Sequence, residues 1–117
     1  MALDVLIVIN DAPYGTEKAY NALRLAIALQ ARGAGIKLFL MADAVFCATP
    51  KQVPPQGYYN ISEMLARVLS NGAKIAACGS CMKTRGLALE SLLNGVERGS
   101  MALLSEWTEG CDKIHSF

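Results

Sequence analysis

The chain has 117 residues, of which 53% are hydrophobic and 18% are charged, with 11 Lys and Arg against 10 Asp and Glu. This length suits one domain, residues 1–117, built around one core. The balanced charge contains no basic run, which excludes a phosphate-neutralising surface, and we expect no nucleic-acid partner. The low charged fraction leaves more apolar surface than a small monomer usually exposes, and this predicts self-association.

The beginning of the chain does not resemble an export signal. Asp4 precedes a run of only five apolar residues, which is too short for the core of a signal peptide. Apolar runs elsewhere fall far short of the roughly 18 residues that cross a bilayer. We therefore expect a cytoplasmic protein with no membrane partner, whose four cysteines remain free thiols.

The first two elements are predicted as a strand and a long helix. Residues 3–9 form an aliphatic, β-branched run typical of a strand covered on both faces. Thr16 is positioned to cap a helix that runs to Arg32 and stops at Gly33. One apolar stripe of this helix, expected to cover the sheet, comprises Ala19, Leu23, Ala26 and Ile27. A second stripe, which needs either another helix of the same subunit or a partner subunit, comprises Leu25, Ala28 and Leu29.

A strand and a long loop follow. Residues 36–41 read as the second strand, and Asp43 is predicted to cap a short helical turn. Residues 48–59 contain three prolines and a glycine, which prevent a continuous helix or a central strand. Loops of about 12 residues in compact domains are often functional, although a plain surface excursion is also common.

The last part of the chain alternates helices and strands. Asn60 and Glu63 match a helix-capping pair, and Ser100 is expected to cap the final helix. Between these helices a further helical segment is predicted from about Cys81, with an interruption at Gly86. The remaining predicted strands are residues 74–77, 95–97 and 112–117.

The order of elements predicts an α/β fold. Strict alternation of strand and helix favours a mainly parallel, doubly wound sheet, because parallel strands need crossover connections. Ligands of such sheets bind beyond the carboxyl ends of the strands. Asn10, Asp43 and Cys78 each stand at such an end, although Asn and Asp also commonly terminate strands and form turns.

Cys78-Gly79-Ser80-Cys81 is a C-x-x-C sequence at the predicted transition from strand to helix. Backbone N–H groups at a helix start stabilise a thiolate, and Lys83 and Arg85 add positive charge nearby. A lowered pKa of Cys78 is therefore expected. Cys81 stands three residues further on, where it can act as a resolving thiol on a sulfur bonded to Cys78.

Four interpretations of these thiols stay open. Cys78 carries a sulfane sulfur as a persulfide, or the pair cycles between dithiol and disulfide, or it ligates zinc, or it is structural. The alternating elements argue against the thioredoxin fold, and the lack of a second C-x-x-C argues against zinc. We expect no cofactor and no metal. Cys47 and Cys111 are expected to be structural, and His115 to be an ordinary side chain of the last strand.

Several segments together resemble the DsrE/DsrF-like family, and most closely its YchN-like members. The amino-terminal segments are Ala12-Pro13-Tyr14-Gly15-Thr16-Glu17, Leu23-Arg24-Leu25-Ala26-Ile27-Ala28-Leu29 and Leu38-Phe39-Leu40-Met41-Ala42-Asp43-Ala44-Val45. The later ones are Gly57-Tyr58-Tyr59-Asn60-Ile61, Cys78-Gly79-Ser80-Cys81 with Arg85-Gly86, Gly95-Val96-Glu97, Glu106-Trp107-Thr108 and Asp112-Lys113-Ile114 with Phe117. The resemblance covers essentially the whole chain.

The resemblance implies a three-layer α/β/α fold with a five-stranded parallel sheet, assembled into homotrimers or homohexamers. Sulfur-relay members of the TusD type carry a persulfide on a cysteine at the same distance from an Arg-Gly pair as Cys78 is from Arg85-Gly86. Cys78 inherits that role by position. Cys81 departs from the TusD type and agrees with the YchN-like members, which have no firmly assigned reaction.

The function expected from the sequence is sulfur handling. Cys78 carries a sulfane sulfur between protein donors and acceptors, with Cys81 as the candidate resolving thiol. The residues expected to bind the substrate are Asn10, Tyr14, Asp43 and Arg85. The alternative is a non-catalytic oligomeric binding module in which the cysteines are structural.

Overall fold

The computed structural model describes residues 2–117 and contains one five-stranded parallel sheet. Its strands are β1 (Asp4–Ile9), β2 (Gly35–Leu40), β3 (Lys74–Cys78), β4 (Glu97–Gly99) and β5 (Lys113–Ser116). They lie in the order β4-β3-β2-β1-β5. The chain therefore builds the sheet outward from β1 to β4 and then returns to place β5 on the other side of β1.

The sheet is covered on both faces, as the unbroken aliphatic runs predict. Alternate residues of β1 enter different apolar clusters: Val5, Ile7 and Ile9 belong to the larger cluster, whereas Leu6 packs in a smaller one with Phe39 and Trp107. This is the period-two alternation of a strand, with both faces apolar.

Four α-helices and two 3₁₀ helices connect the strands. The α-helices are α1 (Lys18–Ala31), α2 (Ile61–Ser70), α3 (Gly79–Thr84) and α4 (Met101–Gly110). The 3₁₀ helices are Ala42–Ala48 and Leu89–Ser91. Residues of α1 and α2 fill the larger cluster, and α4 supplies Trp107 to the smaller cluster. The three-layer α/β/α fold expected from the sequence is confirmed.

Two helix caps follow the sequence and one does not. The side chains of Asn60 and Ser100 accept hydrogen bonds from the backbone N–H groups three residues on, at 3.0 and 3.1 Å, as predicted. The N-cap of α1 is Glu17 rather than Thr16. The hydroxyl of Thr16 donates to Asp11 at 2.7 Å and accepts from the backbone N–H of Lys18 at 3.4 Å, in the turn before the helix.

Two other local predictions need correction. Asp43 lies inside the first turn of the 3₁₀ helix, whose N-cap is Met41, so Asp43 does not cap that turn. The fourth strand is Glu97–Gly99, two residues later than predicted. Its shift brings Gly99 against the ring of Phe39, where an added Cβ would lie 2.7 Å from a ring carbon, so tertiary packing decides the register.

The second apolar stripe of α1 is largely absorbed by its own subunit. Leu25 and Leu29 are half-buried against the larger cluster, and only Ala28 is exposed. This stripe therefore does not require a partner subunit. Within residues 2–117, no helix is both long and apolar enough to cross a membrane.

Candidate active site

Cys78 ends β3, and α3 begins at the very next residue. Burial in the sheet stops here: Ala76 and Ala77 are fully buried, whereas Cys78 and Cys81 are half-buried. The thiol of Cys78 lies 3.4 Å from the hydroxyl of Ser80. The strand-end position predicted for this cysteine is confirmed by the bounds of β3 and α3.

The surroundings of the two thiols shift their pKa values in opposite directions. Burial acts to raise the pKa of Cys78, but hydrogen bonds from Cys81, Ser80 and their backbone N–H groups outweigh it, so the pKa is lowered. Burial raises the pKa of Cys81, and its hydrogen bond to Cys78 raises it further. At a given pH Cys78 therefore has the larger thiolate fraction of the two, and Cys81 donates the hydrogen bond between them.

Cys81 is held from its other side by the end of β2. The backbone N–H of Ala42 points at its sulfur, with a distance of 3.2 Å between nitrogen and sulfur. Ala42 has a φ of 51°, the left-handed region that a non-glycine residue rarely adopts. This contact joins the ends of β2 and β3 at the thiol pair.

Arg85 and Asp43 form an ion pair beside Cys81. Nε of Arg85 lies 2.8 Å from Oδ1 of Asp43, and Nη1 donates to the carbonyl of Cys81 at 3.2 Å. The guanidinium is therefore engaged three times, by a carboxylate, by the backbone of α3 and by the hydroxyl of Thr84. The structure brings these two predicted substrate-binding residues together with the thiols, where they brace the helix that carries Cys81.

Asn10 lies away from the thiols, two strands along the sheet. Its side-chain amide donates to the hydroxyl of Ser116 at 3.2 Å and to the carbonyl of Phe117 at 3.1 Å. Neighbouring strands are about 4.8 Å apart, so β1 and β3 are separated by about 10 Å. In this subunit Asn10 ties the end of β5 to the end of β1.

Tyr14 also lies apart from the thiols, in a group of four tyrosines. Its ring centroid lies 5.8 Å from that of Tyr59 and 6.2 Å from that of Tyr58, and Tyr20 stacks on Tyr59 at 4.0 Å. A cavity of about 370 Å³ adjoins this group, lined by Tyr14, Gln52, Val53, Pro54, Pro55 and Tyr58. Its walls are almost entirely apolar.

The other two cysteines are separate from this pair. Cys47 is fully buried, and burial raises its pKa to about 12, so it stays a thiol. Cys111 donates to the carbonyl of Thr108 at 3.4 Å. Across residues 2–117, no three His, Cys, Asp or Glu side chains gather in a group that could hold a metal ion.

A model of the DsrE/DsrF-like family matches residues 4–117. The chain belongs to this family. It is 41% identical over 115 residues to Protein YchN of Escherichia coli (strain K12), covering 97% of each chain. The crystal structure of that E. coli protein superposes with a TM-score of 0.92 over the whole of both chains. A more distant relative, a TusC homolog of Aliivibrio fischeri, is 29% identical over 114 residues, covering 94% of this chain and 95% of its own.

These relationships support a sulfur-relay type of role for this DsrE-family protein. The resemblance of the sequence to the DsrE/DsrF-like family and to its YchN-like members is confirmed.

Three features of the site escaped the sequence. No residue type marks Ala42 as left-handed, because alanine ordinarily adopts a negative φ. Gln52 stands among prolines, and nothing in the sequence shows that its side-chain amide makes six hydrogen-bond contacts. Arg98 precedes a glycine in a short strand, and only the parallel pairing of β3 with β4 brings it beside Cys78.

Proposed function

We propose that Cys78 carries a sulfane sulfur as a persulfide and passes it to an acceptor thiol. The observation that carries this proposal is the pair of unlike thiols at the end of β3, in which Cys78 has a lowered pKa and Cys81 a raised one. A thiolate is the form that attacks sulfur, and a neighbouring neutral thiol stabilises it by donating a hydrogen bond.

The loading step balances without a further reactant. The Cys78 thiolate attacks the outer sulfur of a donor persulfide, R–S–SH. A bond forms between that sulfur and Cys78, the S–S bond of the donor breaks, and the donor leaves as its thiolate, R–S⁻. Cys78 then holds –S–SH, and an acceptor thiolate can take the outer sulfur in the same way.

Cys81 offers a second outcome. Its thiolate attacks the inner sulfur of the Cys78 persulfide, hydrosulfide leaves, and a Cys78–Cys81 disulfide remains. A dithiol reductant then returns the pair to its starting state. The raised pKa of Cys81 keeps this release slow relative to transfer until the thiol loses its proton.

The proposed setting is the reducing cytoplasm, where four free cysteines stay reduced, and the proposed assembly is a homotrimer or homohexamer. The sulfur donor and acceptor are proposed to be proteins. Asp43 and Arg85 border the thiol pair and are proposed to contact the incoming partner. Asn10 and Tyr14 can join the site only if a neighbouring subunit brings them to it.

Intact-mass measurement after incubation with a sulfane donor tests the proposal. Wild-type protein should gain the mass of one sulfur atom, and Cys78→Ser should gain none. Cys111→Ser is the matched control, because it removes another half-buried thiol and should still be loaded. Absence of any adduct on the wild-type protein would reject the persulfide role.

A second candidate function rests on the apolar cavity. Val53 is 91% exposed and Tyr58 51% exposed beside that 370 Å³ space, as in a preformed binding site. A non-catalytic binding module would bind its ligand in this cavity, and the thiols would take no part in its function. An apolar fluorescent dye should then bind equally well to Cys78→Ser and more weakly to Tyr58→Asp, whereas dye binding unaffected by Tyr58→Asp would exclude the cavity.

A further inference from the structure

Arg98 lies on the strand next to that of Cys78, one residue out of register with it. In the parallel pairing of β3 with β4, Arg98 is the partner of Ala77, and Gly99 is the partner of Cys78. Adjacent parallel strands are about 4.8 Å apart, so the backbone of Arg98 is a near neighbour of the site.

Gly79 lets the side chain of Arg98 lie against the backbone next to Cys78. A Cβ added at Gly79 would lie 2.9 Å from Nε of Arg98 and 3.3 Å from its Cζ. Gly79 is itself buried. The absence of a side chain at the second position of the C-x-x-C sequence is therefore what makes room for the guanidinium.

The charge of Arg98 is not neutralised within the described residues 2–117. The ion pair found there joins Arg85 to Asp43, and no hydrogen bond from the guanidinium of Arg98 is formed. Arg98 is exposed, so N–H donors of its guanidinium remain open to an anion. Arg85 differs, because a carboxylate, a carbonyl and a hydroxyl already accept hydrogen bonds from its Nε and Nη1.

We propose that Arg98 and Cys78 together form an anion-binding position, and that the thiol, besides taking sulfur from a protein donor, is loaded by small negatively charged sulfane donors such as hydropolysulfide. This inference rests on the proposed function and names its substrate class. Arg98 binds the charged end of the donor and brings its other end to the thiolate.

The transfer can be written in full for hydropolysulfide. The Cys78 thiolate attacks the protonated end sulfur, and the bond from that sulfur to the next one breaks. The shortened polysulfide dianion leaves with the electron pair of that bond. Cys78 keeps –S–SH. The cation of Arg98 counters the charge that grows on the leaving chain.

Two alkylating reagents separate anion binding from thiol reactivity. Iodoacetate is anionic and iodoacetamide is neutral, and both attack the same Cys78 thiolate. The ratio of their rates therefore reports the attraction of the site for anions, whatever the pKa of the thiol. Both rates are measured at Cys78 in a Cys81→Ser, Cys111→Ser background, in which the remaining cysteine is the buried Cys47.

Arg98→Met should lower the iodoacetate to iodoacetamide ratio by about two- to five-fold, the order expected for one unit charge at roughly 4–8 Å in water. Arg98→Lys should retain most of the ratio, and added salt should reduce it in the wild type. Lys83→Met is the matched control, since it removes an equal charge from the exposed side of α3. A ratio unchanged by Arg98→Met, or lowered equally by Lys83→Met, would overturn the proposal.

Gly79→Ala supplies an independent test that keeps the charge. The added methyl should push the guanidinium away and lower the ratio in the wild type, but have no further effect in Arg98→Met. An equal effect in both backgrounds would show that Gly79 does not act through Arg98. Loading by hydropolysulfide is then measured as added mass. If the alkylation ratio depends on Arg98 but no sulfur is added, only the persulfide role is rejected. If sulfur is added equally with and without Arg98, only this inference is rejected.

Discussion

The two thiols of the C-x-x-C sequence differ because their nearest hydrogen-bond partners differ. Cys78 accepts hydrogen bonds from Ser80 and Cys81. Cys81 donates its hydrogen bond to Cys78 and accepts one from the backbone N–H of Ala42. A hydrogen-bond donor beside a sulfur atom favours its thiolate form. A negative charge on one thiol disfavours ionisation of the thiol next to it. One residue is thereby suited to attack and the other to hold a proton.

Removing the Cys81 thiol should shift the reactivity of Cys78 to higher pH. In Cys81→Ala the donor to the Cys78 thiolate is lost, so the pKa of Cys78 rises and a smaller thiolate fraction is present at a given pH. The alkylation rate of Cys78 against pH, followed by peptide mass, measures the midpoint. Cys81→Ser keeps a hydroxyl donor and should shift the midpoint less, and a midpoint unmoved in Cys81→Ala would contradict the assigned hydrogen bond.

Replacement of Ala42 by glycine should stabilise the protein. Its φ of 51° costs a residue with a Cβ about 1 kcal/mol relative to glycine. Ala42→Gly is therefore expected to raise the free energy of unfolding by up to about 1 kcal/mol in urea denaturation, with the Cys78 midpoint unchanged. Ala66→Gly in α2, where the backbone is helical, is the control and should destabilise instead.

At the scale of single residues, the sequence identifies the reactive side chain but not the contacts that surround it. The C-x-x-C pattern and the end of an apolar run were enough to place Cys78 at a strand terminus. The ion pair of Asp43 with Arg85 joins residues 42 positions apart, so only the folded sheet brings them together. The position of Arg98 depends in the same way on strand pairing, which local patterns do not encode.

At the scale of elements, Gln52 fixes the proline-rich loop. Its Nε2 donates to the carbonyls of Phe46 and Thr49 at 3.2 and 3.1 Å, and its Oε1 accepts from Tyr14 at 2.8 Å and from the N–H of Ser62 at 3.1 Å. One side chain thus links the 3₁₀ helix, the tyrosine group and the start of α2. The prolines predicted a loop, but these contacts hold it in place.

Gln52→Ala should release this loop. It leaves several half-buried polar groups without partners, which costs about 1–3 kcal/mol of unfolding free energy. Limited proteolysis should show faster cleavage in residues 49–60, alongside a lower urea midpoint. Gln56→Ala, an exposed glutamine of the same loop, should change stability by less than about 0.5 kcal/mol. Equal proteolysis of the two variants would show that the loop is held by its prolines.

The predicted elements were most accurate where the pattern was long and locally capped. Asn60 and Ser100 mark helix starts by side-chain chemistry that acts within three residues, so the sequence reveals it. The three-residue strand β4 is too short to show a period, and its register is set by Phe39 packing on Gly99. Thr16 is not the N-cap because α1 begins one residue later than predicted, with Glu17 at that position.

At the scale of the whole molecule, the two faces of the sheet are covered unequally. The larger cluster is closed by α1, α2, α3 and the first 3₁₀ helix, whereas only α4 covers the other face. Ile114 pairs with Leu6 across β1 and β5 and so lies on that thinly covered face, where it is 49% exposed. Met101 at the start of α4 is 66% exposed. Apolar side chains left outside in this way favour contact with another subunit.

If the proposed trimer or hexamer forms through the α4 face, charge placed there should dissociate it. Ile114→Lys combined with Met101→Glu should lower the mass found by light scattering to that of a smaller species, because each change puts a charge into a desolvated contact. Val53→Lys is the control: Val53 is the more exposed residue, at 91%, but it lies in the loop on the opposite side of the sheet. If only Val53→Lys dissociates the protein, the interface is formed by the loop and not by α4. If the wild-type protein is a monomer, the proposed assembly is rejected, and no neighbouring subunit can bring Asn10 and Tyr14 to Cys78.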